Sequence, residues 1–124
     1  MKIAVIGGAG ARTPLLIQGI SRSGLPVAEV SLYDVSPARL AAVGNLSRKL
    51  AGALQVTASS RLDDSIEGAD FVFTSIRVGG IMSRAEDEAR VLQLGQLGQE
   101  TICACGFAMA LRTIGVMTDY ARRI

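Results

Sequence analysis

An apolar run that dissolves into small residues opens the chain: Lys2-Ile-Ala-Val-Ile6, then Gly7-Gly8-Ala9-Gly10-Ala11-Arg12-Thr13-Pro14. Glycines between a strand and a helix let the backbone approach an anion closely. The helix N-terminus adds N–H groups without intrahelical partners and a partial positive charge, so such a turn could cradle a diphosphate. It would serve equally as a plain tight corner, because the G-x-G-x-x-G spacing is met only loosely. Counted from Gly8, Thr13 takes the third glycine position; counted from Gly7, Ala9 takes the second. Asp34 follows Gly10 by about 24 residues, where a carboxylate ending a second strand can accept both ribose hydroxyls of an adenosine. Its other reading is a surface aspartate that caps the Ser36-Pro37 turn. A glycine turn and Asp34 within one strand–helix–strand unit point together to a dinucleotide. An unpaired carboxylate at Asp34 would repel a 2′-phosphate and so favour NAD over NADP. Arg12 is either a counter-charge to the pyrophosphate or a solvated cation.

The chain has no histidine, which excludes Ser-His and Cys-His nucleophiles and every histidine-bearing metal site within it. Its two cysteines, Cys103 and Cys105, form a C-x-C pair that reads as free thiols rather than a metal site, since two thiols alone do not fill a coordination sphere. A formal charge of +2 with no aromatic platform beside a basic stripe argues against nucleic acid. No stretch approaches ~18 consecutive apolar residues, so no membrane partner is expected. The missing secretory signal and the two cysteines point to a reducing cytoplasm.

The elements that must position these residues follow from hydrophobic period and punctuation. Lys2–Ile6 is β-branched and apolar at consecutive positions, as in a strand buried on both faces. Thr13-Pro14 predicts a helix start, Thr13 as N-cap, running to about Arg22 and stopping at Gly24. A second strand is expected over Val27–Asp34. Ser36-Pro37 then opens a helix whose apolar face is Leu40, Val43, Leu46, Leu50 and Leu54. A third strand (54–59), a short helix within 61–70 and a fourth strand over Asp70–Ile76 come next. A charged helix is expected over Met82–Leu94, a polar loop over Gly95–Gly106, and a last helix from about Phe107 that places Phe107, Leu111, Ile114, Met117, Ala121 and Ile124 on one face. The order predicts an α/β fold: a Rossmann-like parallel sheet, strand order 3-2-1-4, with helices on both faces, the N-terminal half of a doubly wound fold. Residues 1–124 are expected to form one nucleotide-binding domain. Such a sheet next calls for a fifth strand, so an open edge beside the fourth strand is expected, and with it self-association into a homo-oligomer.

Four segments together resemble glycoside hydrolase family 4: KIAVIGGAGARTP, the Asp34 strand, SIRVGG (75–80) and GQET followed by GFAMALRTI (98–114). The resemblance covers essentially the whole chain in order. It implies the N-terminal NAD-binding part of an NAD- and divalent-metal-dependent 6-phospho-glycosidase, with 6-phospho-β-glucosidase the leading activity and manganese the expected metal. It also implies the family's exceptional route: oxidation at sugar C3, removal of the C2 proton by a tyrosine while a metal stabilises the negative charge, elimination at C1, addition of water and return of the hydride. Carried onto this sequence, Gly7, Gly8, Ala9, Gly10, Ala11, Arg12 and Thr13 hold the pyrophosphate and Asp34 the adenine ribose. Arg77 contacts the phosphorylated disaccharide, its fork suited to an oxyanion. Glu100 and Thr101, with Gln99, belong to a polar loop on the nicotinamide side. Read without the resemblance, Arg77 is an ion-pair partner of Asp87 or Glu88, Gly79-Gly80 ends a strand, and Glu100 or Thr101 satisfies donors at the start of the last helix.

Departures from the family pattern are as informative. Ala9-Gly10 stands where the family has Gly-Ser, Gln93 where it has a lysine and Val91 where it has a proline. Ile102-Cys103-Ala104-Cys105-Gly106 replaces x-G-P-G-G. Cysteines do not share glycine's backbone range, so this loop must run differently or be strained. The family's metal ligands and catalytic tyrosine have no counterpart in the sequence. Tyr33 and Tyr120 match neither role, so no catalytic residue and no metal ligand is assigned, and the chain alone is expected to be inactive. The alternative is a non-catalytic module that senses NAD or docks a partner.

Overall fold

The computed structural model describes residues 1–99 and 102–124. The elements are β1 (Lys2–Ile6), α1 (Thr13–Arg22), β2 (Glu29–Tyr33), α2 (Pro37–Leu50), β3 (Gln55–Ser59), α3 (Leu62–Ile66), β4 (Phe71–Thr74), α4 (Gly80–Gln93) and α5 (Ala104–Arg123). They fall into two compact units, Met1–Ile76 and Arg77–Ile124.

In the first unit the four strands are parallel in the order β3-β2-β1-β4, as the sequence predicts. The side-chain period of two puts Ile3, Val5, Val30, Leu32 and Val56 on one face. There Ile17 of α1 and Leu40 of α2 complete the core. The opposite face carries Ala4 and Ile6, both fully buried, and receives α3, whose Ser65 hydroxyl donates to the Leu32 carbonyl. Ile6, Ile17, Leu32, Val5 and Val30 are the largest fully buried apolar side chains, each contributing about 1.5–3 kcal/mol of burial. Both faces of β1 and β2 are thus covered by helices, the arrangement of a Rossmann-like α/β fold. β4 pairs with β1 on one side only, and its Phe71 and Phe73 are exposed.

Two local expectations in this unit are corrected. The N-cap of α1 is Arg12, not Thr13. The Thr13 amide already bonds the Gly10 carbonyl at 3.0 Å, closing the turn one residue earlier and burying Thr13 inside the first helical turn. In α2 the buried stripe is Leu40, Gly44 and Ser47, with Val43 half-buried, while Leu46 is exposed. Small residues let α2 sit close to α1 and β3, and that close approach turns the helix away from its larger leucine.

The second unit is the helix pair α4 and α5. Gly79, left-handed at φ +85°, is the N-cap of α4, and a Cβ there would overlap the Ser83 side chain. The two glycines therefore open a helix rather than end β4, which stops at Thr74. α5 begins at Ala104, three residues before the expected Phe107: Cys103 is extended, Ala104 is already helical, and among the described residues no non-glycine residue has positive φ. Of the apolar face read from the sequence, Phe107, Leu111, Ile114 and Ile124 are all exposed, and the buried residues of α5 are Cys105, Gly106 and Tyr120.

Candidate functional site

The turn after β1 is locked onto the end of β2. The amides of Gly7 and Gly8 both donate to the Tyr33 carbonyl, at 2.9 and 2.8 Å. Gly7 is left-handed at φ +89°, and a Cβ there would run into the Ser75 carbonyl group. A Cβ on Gly8 would lie 2.8 Å from that of Leu32. Packing within the protein therefore accounts for both glycines. It does not account for Gly10, whose Cβ would meet only the Gly7 carbonyl oxygen at 3.6 Å and the Thr13 hydroxyl at 3.7 Å. Gly10 is exposed and at the mouth of the turn, the place where an approaching ligand, rather than the fold, would demand a missing side chain.

Asp34 lies under this turn and is buried. One carboxylate oxygen accepts the Ala9 amide at 3.1 Å and the other accepts the Ser36 amide at 3.0 Å. The carboxylate thus caps the Ser36-Pro37 turn and also ties the first turn to the second strand. A carboxylate has about four lone-pair sites, so two amides leave room for ribose hydroxyls on the same group. Asp34 also has a cationic neighbour missed in the sequence: Arg39 reaches one of its oxygens at 3.6 Å. Within the turn the Gly10 amide donates to the Gly7 carbonyl at 3.3 Å. The amides of Gly7 to Gly10 and of Thr13 are therefore all engaged internally. Ala11 and Arg12, both exposed, take no part in this set.

The structure brings Gly7, Gly8, Ala9, Gly10, Ala11, Arg12, Thr13 and Asp34 together at the carboxyl ends of β1 and β2. Arg77 belongs to the second unit. There it lines a pocket with Arg84, Asp87, Glu88 and Arg112, to which Gly80, Cys105 and Met109 also contribute. Two carboxylates of this pocket each hold an arginine of α4 or α5. Arg112 makes a two-pronged contact with Asp87 at 2.5 and 3.2 Å, and Arg84 reaches Glu88 at 2.6 Å one turn along α4. Arg112 holds the Asp87 carboxyl below its ordinary value, against a partial opposition from desolvation, and is itself raised by the pair. Among the described residues that line it, the pocket sets three guanidinium groups against two carboxylates. Arg84 pairs within its own helix by an i, i+4 spacing that could have been read; Arg112 pairs across two helices and leaves no sequence signal. Glu100 and Thr101 lie outside the described residues. No group of three or more potential ligands stands together among the described residues, so no metal ligand is assigned to this chain.

The profile of the family 4 glycosyl hydrolases matches residues 2–124. The chain is 34% identical over 132 residues to the 6-phospho-beta-glucosidase of Escherichia coli (strain K12), covering all of this chain and 29% of that protein. Among solved structures it is similar to the Thermotoga maritima 6-phospho-beta-glucosidase with NAD and glucose-6-phosphate. There the TM-score is 0.90 at 31% identity, with 99% of this chain and 31% of that one covered. A 6-phospho-alpha-glucosidase from gut microorganisms in complex with NAD and Mn2+ superposes with a TM-score of 0.92 at 27% identity, over 99% of this chain and 30% of that one. The chain therefore spans about 30% of the length of these relatives. A match running from Lys2 to Ile124 makes this chain a member of the family 4 glycosyl hydrolases.

Proposed function

We propose that residues 1–124 are the NAD-binding domain of a cytoplasmic, manganese-dependent 6-phospho-glycosidase that cleaves O-glycosidic bonds of phosphorylated disaccharides, in the first place 6-phospho-β-glucosides. The observation that carries this reading is Asp34, a buried carboxylate fixed by the Ala9 and Ser36 amides under a turn whose Gly10 the fold itself does not require. Those residues fit a dinucleotide. The backbone of the exposed residues Ala11 and Arg12 and the N-terminus of α1 face a pyrophosphate, with Arg12 as its counter-charge, and Asp34 takes the adenine ribose. When bound, NAD supplies a reversible acceptor for the hydride of sugar C3. The chain's own contribution is to fix the dinucleotide against a rigid sheet, since Gly7 and Gly8 cannot shift without opening the Tyr33 contacts. Arg77 offers its guanidinium to the substrate's phosphate, supported by the cationic excess of its pocket. Glu100 and Thr101 complete the nicotinamide side.

Similarity to proteins about three times as long supports a division of labour in which this domain binds and other residues deprotonate C2 and hold the metal. The isolated chain given NAD, Mn2+ and a chromogenic 6-phosphoglucoside is expected to release no aglycone; turnover would overturn the division. Titration calorimetry with NAD tests the site itself. Micromolar affinity corresponds to a stabilisation of about 4 kcal/mol at millimolar NAD, and absence of any thermal shift would remove the cofactor reading. The exposed Phe71, Phe73, Phe107, Leu111 and Ile114 support self-association of the isolated chain, which sedimentation of a clean monomer would contradict.

A further inference from the structure

Cys103 and Cys105 replace two glycines of the family pattern, and the fold treats them differently. Cys103 is the N-cap of α5, on extended backbone at φ −126° and ψ −168°, and remains partly exposed; its thiol donates to the Gln99 carbonyl. Cys105, in the first turn of the helix, is buried and lines the pocket that holds Asp87 and Glu88. Only Ala104 separates the two cysteines, one at the helix N-cap and the other in the first turn. Two peptide steps span at most about 7 Å between α-carbons, and the helical turn begun at Ala104 shortens that into the range a disulfide can bridge.

The surroundings divide the pair chemically. For Cys103, desolvation opposes ionisation. The backbone groups of Cys105, Gln99 and Gly106 and, after them, the Cys105 side chain outweigh it, and the thiol lies below its ordinary value. For Cys105, burial, then the neighbouring Cys103 sulfur, then the charges of Glu88 and Asp87 push the thiol up. One sulfur is accessible and nucleophilic; the other is sheltered and held in reserve beside it.

We propose that Cys103-Ala104-Cys105 is a dithiol modification site for low-molecular-weight disulfides, with Cys103 the attacking sulfur and Cys105 the resolving one. The Cys103 thiolate attacks one sulfur of the small disulfide; a Cys103 mixed disulfide forms and one small thiolate leaves. Cys105 then loses its proton to solvent and attacks the Cys103 sulfur. The Cys103–Cys105 bond forms and the second small thiolate departs. The protein is oxidised by two electrons, and the small disulfide is reduced to two thiols. A ring closed over one intervening residue is strained, which places the product among readily reduced, reversible disulfides. Closing it also withdraws Cys103 from the Gln99 carbonyl, so the start of α5 registers the redox state.

Oxidised glutathione on the 124-residue chain is the probe, with intact-mass analysis and alkylation of the remaining thiols. The expected product is a monomer lighter by two hydrogens, carrying no glutathione and no alkylatable cysteine, and restored by reduced glutathione. Cys105→Ser should instead accumulate a stable glutathione adduct on Cys103. In that variant Cys103 should still alkylate half-maximally at a lower pH than the same thiol does in the urea-unfolded chain. Cys103→Ser should leave Cys105 reacting at least tenfold more slowly than Cys103 does. A wild-type adduct that never resolves, a disulfide-linked dimer, or a Cys103 with an ordinary thiol's pH profile would each overturn the proposal. If Cys103→Ser fails to fold by circular dichroism, the Cys105→Ser measurements decide alone.

Discussion

The first seventy-six residues and the last forty-eight are held together by different physics. In the unit Met1–Ile76, consecutive apolar residues on β1 and β2 are buried from both sides, and two of the polar groups that enter the core, Asp34 and Ser65, bond to backbone. In the unit Arg77–Ile124, the buried set is thin, Val91, Cys105 and Tyr120, and two arginine–carboxylate pairs do much of the joining. The larger apolar side chains of α5 face outward there. A sheet with both faces covered leaves a chain no choice about where its apolar residues go; a helix pair with one covered face leaves several.

The largest effects should expose that contrast directly. Leu32→Ala is expected to cost about 3 kcal/mol by urea unfolding, since Leu32 is fully buried at the centre of the sheet. Gly7→Val should cost at least as much, because a side chain at that left-handed position has to displace the Ser75 carbonyl group. Leu111→Ala, the same kind of truncation at an exposed site in α5, should stay within about 0.5 kcal/mol. Equal losses at Leu32 and Leu111 would erase the distinction between the units.

The same contrast explains what could be read in advance. β1 and its parallel partners followed from runs such as Ile3 to Ile6, because burial on both faces removes the ambiguity of period. Gly7, Asp34 and the Pro37 helix start were readable because each answers to a local backbone need. The face of α5 was not: Phe107, Leu111 and Ile114 have helical spacing and high hydropathy, yet the packed side is built from Cys105, Gly106 and a guanidinium, whose small size and charge pairing give no periodic signal. Leu46 misled for the same reason, since Gly44 and Ser47 bring α2 closer than a leucine would allow. Arg39 beside Asp34 and Arg112 beside Asp87 are contacts between elements, and no spacing announces them.

Within the first unit, ligand-directed and fold-directed residues can be separated. Asp34→Ala strips the acceptors from the Ala9 and Ser36 amides. It should cost on the order of 2 kcal/mol of stability together with most of the NAD affinity. Asp34→Asn, which keeps one acceptor oxygen, should lose less stability than affinity. Gly10→Ala is the sharper probe. Its Cβ meets only ordinary contacts, so the unfolding midpoint should not move, whereas NAD affinity measured by calorimetry should fall tenfold or more if the pyrophosphate passes close to the turn. A Gly10→Ala protein that binds NAD normally would shift the site away from this turn while leaving the fold untouched.

The smallest effect is the one peculiar to the second unit. Arg112 keeps the Asp87 carboxyl below its ordinary value in the folded chain, so unfolding raises that value and protons bind more readily to the unfolded state. The pair's contribution is therefore complete above the unfolded carboxylate value, about 4. It is lost as pH falls from there through the lower folded value, while Arg112 stays charged throughout. Amide-exchange protection in α4 and α5 should accordingly drop on acidification below about pH 4, and Asp87→Asn should abolish that pH-dependent part of the protection. The difference between wild type and Asp87→Asn should be confined to these helices and absent from β1 and β2, which belong to the other compact unit. Because both side chains remain partly exposed, added salt should shrink the same difference. A wild-type profile that Asp87→Asn leaves unchanged would mean that packing around Val91 and Tyr120, and not the ion pair, joins the two helices.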